Sequence, residues 1–139
     1  MDLVARRVEM LALRLRKRIT LRGRRDLSQH FWVSASLGVL SNQDRSITVG
    51  IGKEMMDARP GGSGFSFVDL TADHAGTEFT RVATRDEDWA RALQARLRRG
   101  VRVADWCPEV SGLPEGITRD DFQKVYGGLG GKKTREIVD

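Results

Sequence analysis

Long apolar runs are missing from this sequence of 139 residues. The best stretch, Phe31 to Leu40, is followed by Ser-Asn-Gln-Asp-Arg and falls short of the ~18 to 20 apolar residues that a membrane-spanning helix needs. No segment is therefore expected to cross a bilayer. An apolar signal core with a small-residue cleavage site is also lacking, because arginines interrupt Val8 to Leu15. The expected location is cytoplasmic, with a membrane-peripheral version, or the envelope if a leader is missing from the sequence. Cysteine occurs once, as Cys107, which excludes an intrachain disulfide and a cysteine-rich zinc site. With no histidine near it in the sequence, Cys107 reads as a small packing residue rather than a nucleophile. Strand-like alternation is nearly absent, and there is no repeat or low-complexity tract.

What is present is a sequence 40% hydrophobic, enough for one domain with a single modest core. The net charge of +5 is unevenly placed. Residues 1–25 carry nine basic side chains against Asp2 and Glu9, a net of +7, and the rest of the chain is slightly acidic. Val4, Val8, Leu11, Leu15 and Ile19 recur at three- and four-residue steps, so a basic amphipathic helix is expected from about Leu3 to Thr20. Such a helix can pack on the core with a solvated basic face, lie on an anionic membrane surface, or meet an acidic protein partner or nucleic acid. Arg6, Arg7, Arg14, Arg18, Arg22 and Arg25 are its candidate binding residues. Nucleic acid fits less well, since no aromatic residue interleaves with the arginines to stack on bases.

Beyond a break at Gly23-Arg-Arg, Asp26 with Gln29 three residues on reads as a capping box opening a helix from His30 to about Ser41. A turn is expected over Asn42–Ser46 and a helix over about Ile47–Ala58, ended by Arg59-Pro60-Gly-Gly-Ser-Gly64. Ser66 with Asp69 starts another helix to about Ala83, whose buried face would be Val68, Ala72, Ala75, Phe79 and Val82. Asp88 is read as the cap of a helix from Trp89 to about Arg98, with Trp89, Leu93 and Leu97 as its apolar seam. After Gly100, Val101 to Trp106 reads as an extended strap anchored by Val103 and Trp106, Thr118 with Asp121 opens a short helix to about Tyr126, and Gly127 to Lys133 reads as a loose tail. The last segment lacks the spacing of a phosphate loop.

The candidate site lies between Asp26 and Gly76. Asp69, Asp73, Gly76 and Thr80 fall at i, i+4, i+7 and i+11, so both carboxylates share one helix edge that Gly76 opens to a close neighbour. That edge can face Glu54 and Asp57. Crowded, partly dry carboxylates repel, so one would be held protonated and able to act as an acid, unless Lys53, Arg59 or His30 neutralises them. A divalent metal bound by His30, Glu54, Asp69 and Asp73 is equally reasonable chemistry. Against these stand ordinary structural roles: Asp69 as a cap, Lys53 and Asp57 as an i,i+4 pair, and His30 as a hydrogen-bonded histidine near a helix start. His74 lies off the shared edge and is expected to be exposed.

The order Asp26-x-x-x-His30-Phe31, Lys53-Glu54-x-x-Asp57 and Asp69-x-x-x-Asp73-x-x-Gly76 resembles the VanZ-like proteins and the related YfiM-like envelope lipoproteins over residues 26 to 80. The resemblance implies that His30, Glu54, Asp57, Asp69 and Asp73 are the matching polar positions and that the setting is an envelope or a membrane. Asparagine is common in that family where Asp73 stands here.

The expected fold is an all-α bundle of about five helices, with a basic N-terminal helix over 1–25, a helical core over 26–100, and an irregular strap and one short helix over 101–139. Three functional readings follow: an accessory or binding protein peripheral to a membrane or envelope, a structural subunit of a larger assembly, and a hydrolase or transferase on phosphate or glycan substrates that uses a carboxylate or metal.

Overall fold

The computed structural model describes Met10, residues 18–40 and residues 43–138, side chains of 43–46 excepted. Among the described residues the fold is all-α, with helices α1 (Arg25–Leu40), α2 (Gln43–Asp57), α3 (Phe67–Ala83), α4 (Glu87–Arg98), α5 (Arg119–Tyr126) and α6 (Lys132–Val138). Extended pairing among them is limited to two isolated bridges, Leu21 with Arg24 and Phe65 with Ile117. Most of the expected N-terminal helix lies outside the described residues. Met10 is helical, whereas Arg18, Ile19 and Thr20 are not.

Local chemistry sets the helix ends. Ser66 caps α3, its hydroxyl accepting from the Asp69 backbone N–H at 3.0 Å, and Thr118 caps α5 in the same way through Asp121. Two starts differ from expectation. The Asp26 carboxylate is held by the Arg24 guanidinium at 2.6 Å instead of closing a capping box, and α1 already begins at Arg25. Leu21 and Arg24 exchange backbone hydrogen bonds of 2.9 Å across Arg22 and Gly23, both at positive φ, the pattern of a type I′ turn delivering the chain into α1. Asp86, not Asp88, caps α4, which leaves Glu87 and Asp88 in the first turn, where the helix dipole favours acids. The expected turn after Asn42 is already helix from Gln43.

The core has two adjoining parts. Leu27, Phe31, Val68, Ala72, Ala75, Cys107 and Val110 form one, so Cys107 is the packing residue expected. Phe65, Phe67, Leu70, Ile117 and Phe122 form the other, where the Phe65 and Phe122 rings stack at 4.1 Å. On α3, Val68, Ala72 and Ala75 are buried as expected, with Phe79 and Val82 half-buried. The seam expected on α4 is not buried: Trp89 and Leu97 are each 43% exposed, and Trp89 lies under the Arg85 guanidinium.

Past residue 100 the chain is better anchored than its glycines suggest. Trp106 packs against Phe79 at 5.2 Å, whereas Val103 is exposed, so the strap has one anchor of the two expected. The segment read as a loose tail turns back on α5 at Gly127 and Gly128, both at positive φ, and Gly131 lies so close to the Tyr126 carbonyl that no side chain fits. Thr134 of α6 is buried there and donates to the Gly128 carbonyl at 2.7 Å.

Helices α1 and α3 make the contact that positions the site. Gly76 has no Cβ where the Phe31 carbonyl approaches, and one turn on the Thr80 hydroxyl donates to the Ala35 carbonyl at 2.7 Å. This close crossing brings Asp69 and Asp73, the two turns before Gly76, against the inner face of α1.

Candidate functional site

His30 lies between the two aspartates of α3. Its Nδ1 is 3.1 Å from Asp73 Oδ1 and its Nε2 3.3 Å from Asp69 Oδ2. Ser34, four residues along α1, donates its hydroxyl to Asp73 Oδ1 at 2.8 Å. From α2, the fully buried Glu54 accepts the Ser66 backbone N–H at 2.9 Å, placing its carboxylate at the N-terminal end of α3. Lys53 donates to Glu54 Oε1 at 3.0 Å and to Asp57 Oδ2 at 2.6 Å. One ligand atom each from His30, Glu54 and Asp73 lie within 4.8 Å of one another. The expected convergence of His30, Glu54, Asp69 and Asp73 is therefore present, while Asp57 sits at its margin, paired with Lys53 as an i,i+4 neighbour.

The electrostatics are unbalanced toward negative charge. Four carboxylates, Glu54, Asp57, Asp69 and Asp73, face two cationic groups, His30 and Lys53. Arg24 gives little help, lying 4.0 Å from Asp69 while bound more closely to Asp26 and Glu115. Hydrogen bonds to Asp69 and then Asp73 raise the His30 pKa to about 10, so its ring is doubly protonated at neutral pH and donates to both carboxylates. Burial pushes the Glu54 carboxyl up, against the contacts from Lys53 and Ser66. Burial also opposes the charge on Lys53, but hydrogen bonds to Asp57 and Glu54 outweigh it and raise its pKa.

Among the described residues, two buried carboxylate oxygens have no hydrogen-bond partner: Asp69 Oδ1 and Asp73 Oδ2. The second faces α2 at Gly50, where a Cβ would stand 3.0 Å from it. Asp73 and Gly50 line an open cleft of about 230 Å³ between α1 and α2, with His30, Ser34, Val49 and Lys53 on its walls.

Comparisons with protein-family models, curated proteins and solved structures give no match to this chain.

Ser34, Gly50 and Ser66 complete the site but did not stand out in the sequence as part of it. Ser34 is signalled only by its four-residue spacing from His30, and Gly50 by its four-residue spacing from Glu54, on the same helical stripe. His74, expected to be exposed, is half-buried beside a different, largely apolar cleft. Of the candidate binding arginines, Arg6, Arg7 and Arg14 lie outside the described residues, and Arg18 and Arg25 are exposed. Arg22 is engaged within the fold, where it donates to the Cys107 and Pro108 carbonyls and pairs with Glu109. A second surface feature is the outer face of α1, where Trp32, Val33, Val39 and Leu40 are exposed, Leu40 at 83%.

Proposed function

We propose that this protein is a small helical binding protein whose ligand site is the cleft between α1 and α2, and that the ligand is positively charged. The observation that carries this reading is Asp73 Oδ2. It belongs to a carboxylate whose side chain is only 6% exposed, it has no hydrogen-bond partner, and its residue opens onto the cleft. A buried, unsatisfied, charged oxygen costs more than a packed apolar atom would, and a cation in the cleft relieves that cost and the surplus of carboxylates together. A catalytic role receives less support. His30 is held doubly protonated to about pH 10, well above the range in which a general base works near neutrality.

The test is a melting-temperature screen of the full chain against inorganic and organic cations, run beside Asp73→Asn. The reading expects at least one cation to raise the melting temperature of the parent protein and to lose most of that effect in the variant. If no cation does so, the cluster serves helix packing alone, as in the structural-subunit reading.

The outer face of α1 favours a second, compatible role at a membrane surface. Trp32, Val33, Val39 and Leu40 are exposed on it, with Arg25 on the same face one end over and Arg18 exposed nearby in sequence. Apolar side chains beside cations suit the boundary of an anionic bilayer. The peripheral reading rests on this face and on the basic N-terminal segment, and an envelope or membrane setting is what the resemblance over residues 26 to 80 implies.

A further inference from the structure

Resting on the binding reading above, we propose that His30, Glu54 and Asp73 bind a single divalent ion of the Zn²⁺ or Mn²⁺ class, with Asp69 as the positioning residue behind His30. Three observations carry the proposal. The three ligand atoms, one from each helix, lie within 4.8 Å of one another, a span that one ion bridges with metal–ligand bonds of about 2.0 to 2.6 Å. Asp73 Oδ2 is buried, without a hydrogen-bond partner, and free to serve as a ligand atom. Gly50 leaves open the space beside that oxygen, which a Cβ would enter to 3.0 Å.

The donor set selects the class of ion. Magnesium and calcium sites are built from oxygen, whereas one imidazole with two carboxylates suits a borderline first-row ion. With the His30 Nδ1 on the metal, Nε2–H remains donated to Asp69 Oδ2, now 3.3 Å away, which is the carboxylate–histidine–metal arrangement that fixes ring orientation. On loading, the Nδ1 proton leaves to solvent and Asp73 exchanges the His30 N–H for the ion. Loss of the His30 proton takes the cluster's excess from two negative charges to three, and the ion's double positive charge brings it down to one.

The experiment is calorimetric titration of the full chain, freed of metal by chelation, with Zn²⁺, Mn²⁺, Ca²⁺ and Mg²⁺, and in parallel with ethylammonium and spermidine. One Zn²⁺ or Mn²⁺ per chain is expected, bound at least tenfold tighter than Ca²⁺ or Mg²⁺. Gly50→Ala adds a good helix former and no charge; with folding checked by its melting temperature after chelation, it should weaken the transition metals at least tenfold by filling the space beside Asp73. Asp69→Asn should weaken them about 10- to 100-fold. Binding of Zn²⁺ that Gly50→Ala leaves unchanged marks an adventitious surface ion and overturns the proposal. Binding of ethylammonium or spermidine without Zn²⁺ or Mn²⁺ also overturns it while leaving the cationic-ligand reading intact, and binding of no cation overturns both.

Discussion

Gly76 and Phe31 meet backbone to backbone: a Cβ on Gly76 would stand 2.0 Å from the Phe31 carbonyl oxygen. That contact sets the separation of α1 and α3, and through it the reach of His30 to Asp69 and Asp73. Gly76→Ala must push the helices apart, and overpacking of this severity costs about 3 kcal/mol. Chemical denaturation should show that loss, and ion binding at the cluster should fall with it. Stability within 0.5 kcal/mol of the parent would mean that the helices do not cross this closely.

Glu54 is a buried acceptor with two donors. Glu54→Ala strands the Ser66 N–H and removes a partner of Lys53, so a loss of about 1–3 kcal/mol is expected from the unsatisfied donor. Glu54→Gln retains an oxygen for Ser66 and should lose less. Equal losses in the two variants would show that the Ser66 contact contributes nothing.

Asp73→Ala removes an acceptor of the Ser34 hydroxyl and the acceptor of the His30 Nδ1–H. The expected cost in the metal-free protein is about 1–3 kcal/mol. A thermal melt at pH 7 checks it, and a stabilised variant would show that carboxylate repulsion outweighs those hydrogen bonds.

The pH dependence has a definite sign. His30 is raised from 6.5 to about 10 in the folded protein, so its contribution is complete below pH 6.5 and is lost as pH rises toward about 10. It faces Asp69 and Asp73 of α3 and Glu54 of α2, with Lys53 and Arg24 at the margins. One proton linked to unfolding gives a slope of up to about 1.4 kcal/mol per pH unit. Glu54, raised by burial, acts in the same direction. Denaturation of chelated protein across pH 6 to 10 should show falling stability, and His30→Gln should flatten the curve. Parallel curves for the two proteins would contradict the double contact.

Much of this was legible in the sequence because it depends on local rules. Ser66 with Asp69, and Thr118 with Asp121, announce caps that the fold uses, and the four-residue spacing of Asp69, Asp73 and the glycine beyond them places two acids and a close approach on one edge. The failures came where tertiary partners decide. Asp26 resembles a cap until Arg24 holds its carboxylate. Gly127 to Lys133 resembles a loose tail because nothing local reveals that α5 offers a surface onto which α6 folds. Whether acids on different helices converge is set by the crossing of α1 and α3 and by the seating of α2, which no local spacing encodes.

The membrane reading has its own assay. Val39→Ser with Leu40→Ser should reduce co-sedimentation with vesicles rich in anionic lipid without unfolding the protein, since these are the most exposed apolar side chains of that face. Binding should weaken as salt shortens the screening length from about 10 Å at 0.1 M to about 3 Å at 1 M. No association with anionic vesicles, or binding insensitive to the variant, would remove the α1 face from the account.

The metal site meets its most direct test in anomalous diffraction from crystals of the full chain grown with Mn²⁺ after chelation. An anomalous peak bounded by His30, Glu54 and Asp73, with Asp69 still on the far ring nitrogen, is the predicted result. A cluster with His30 closed between Asp69 and Asp73, and no anomalous peak among these side chains, would contradict it.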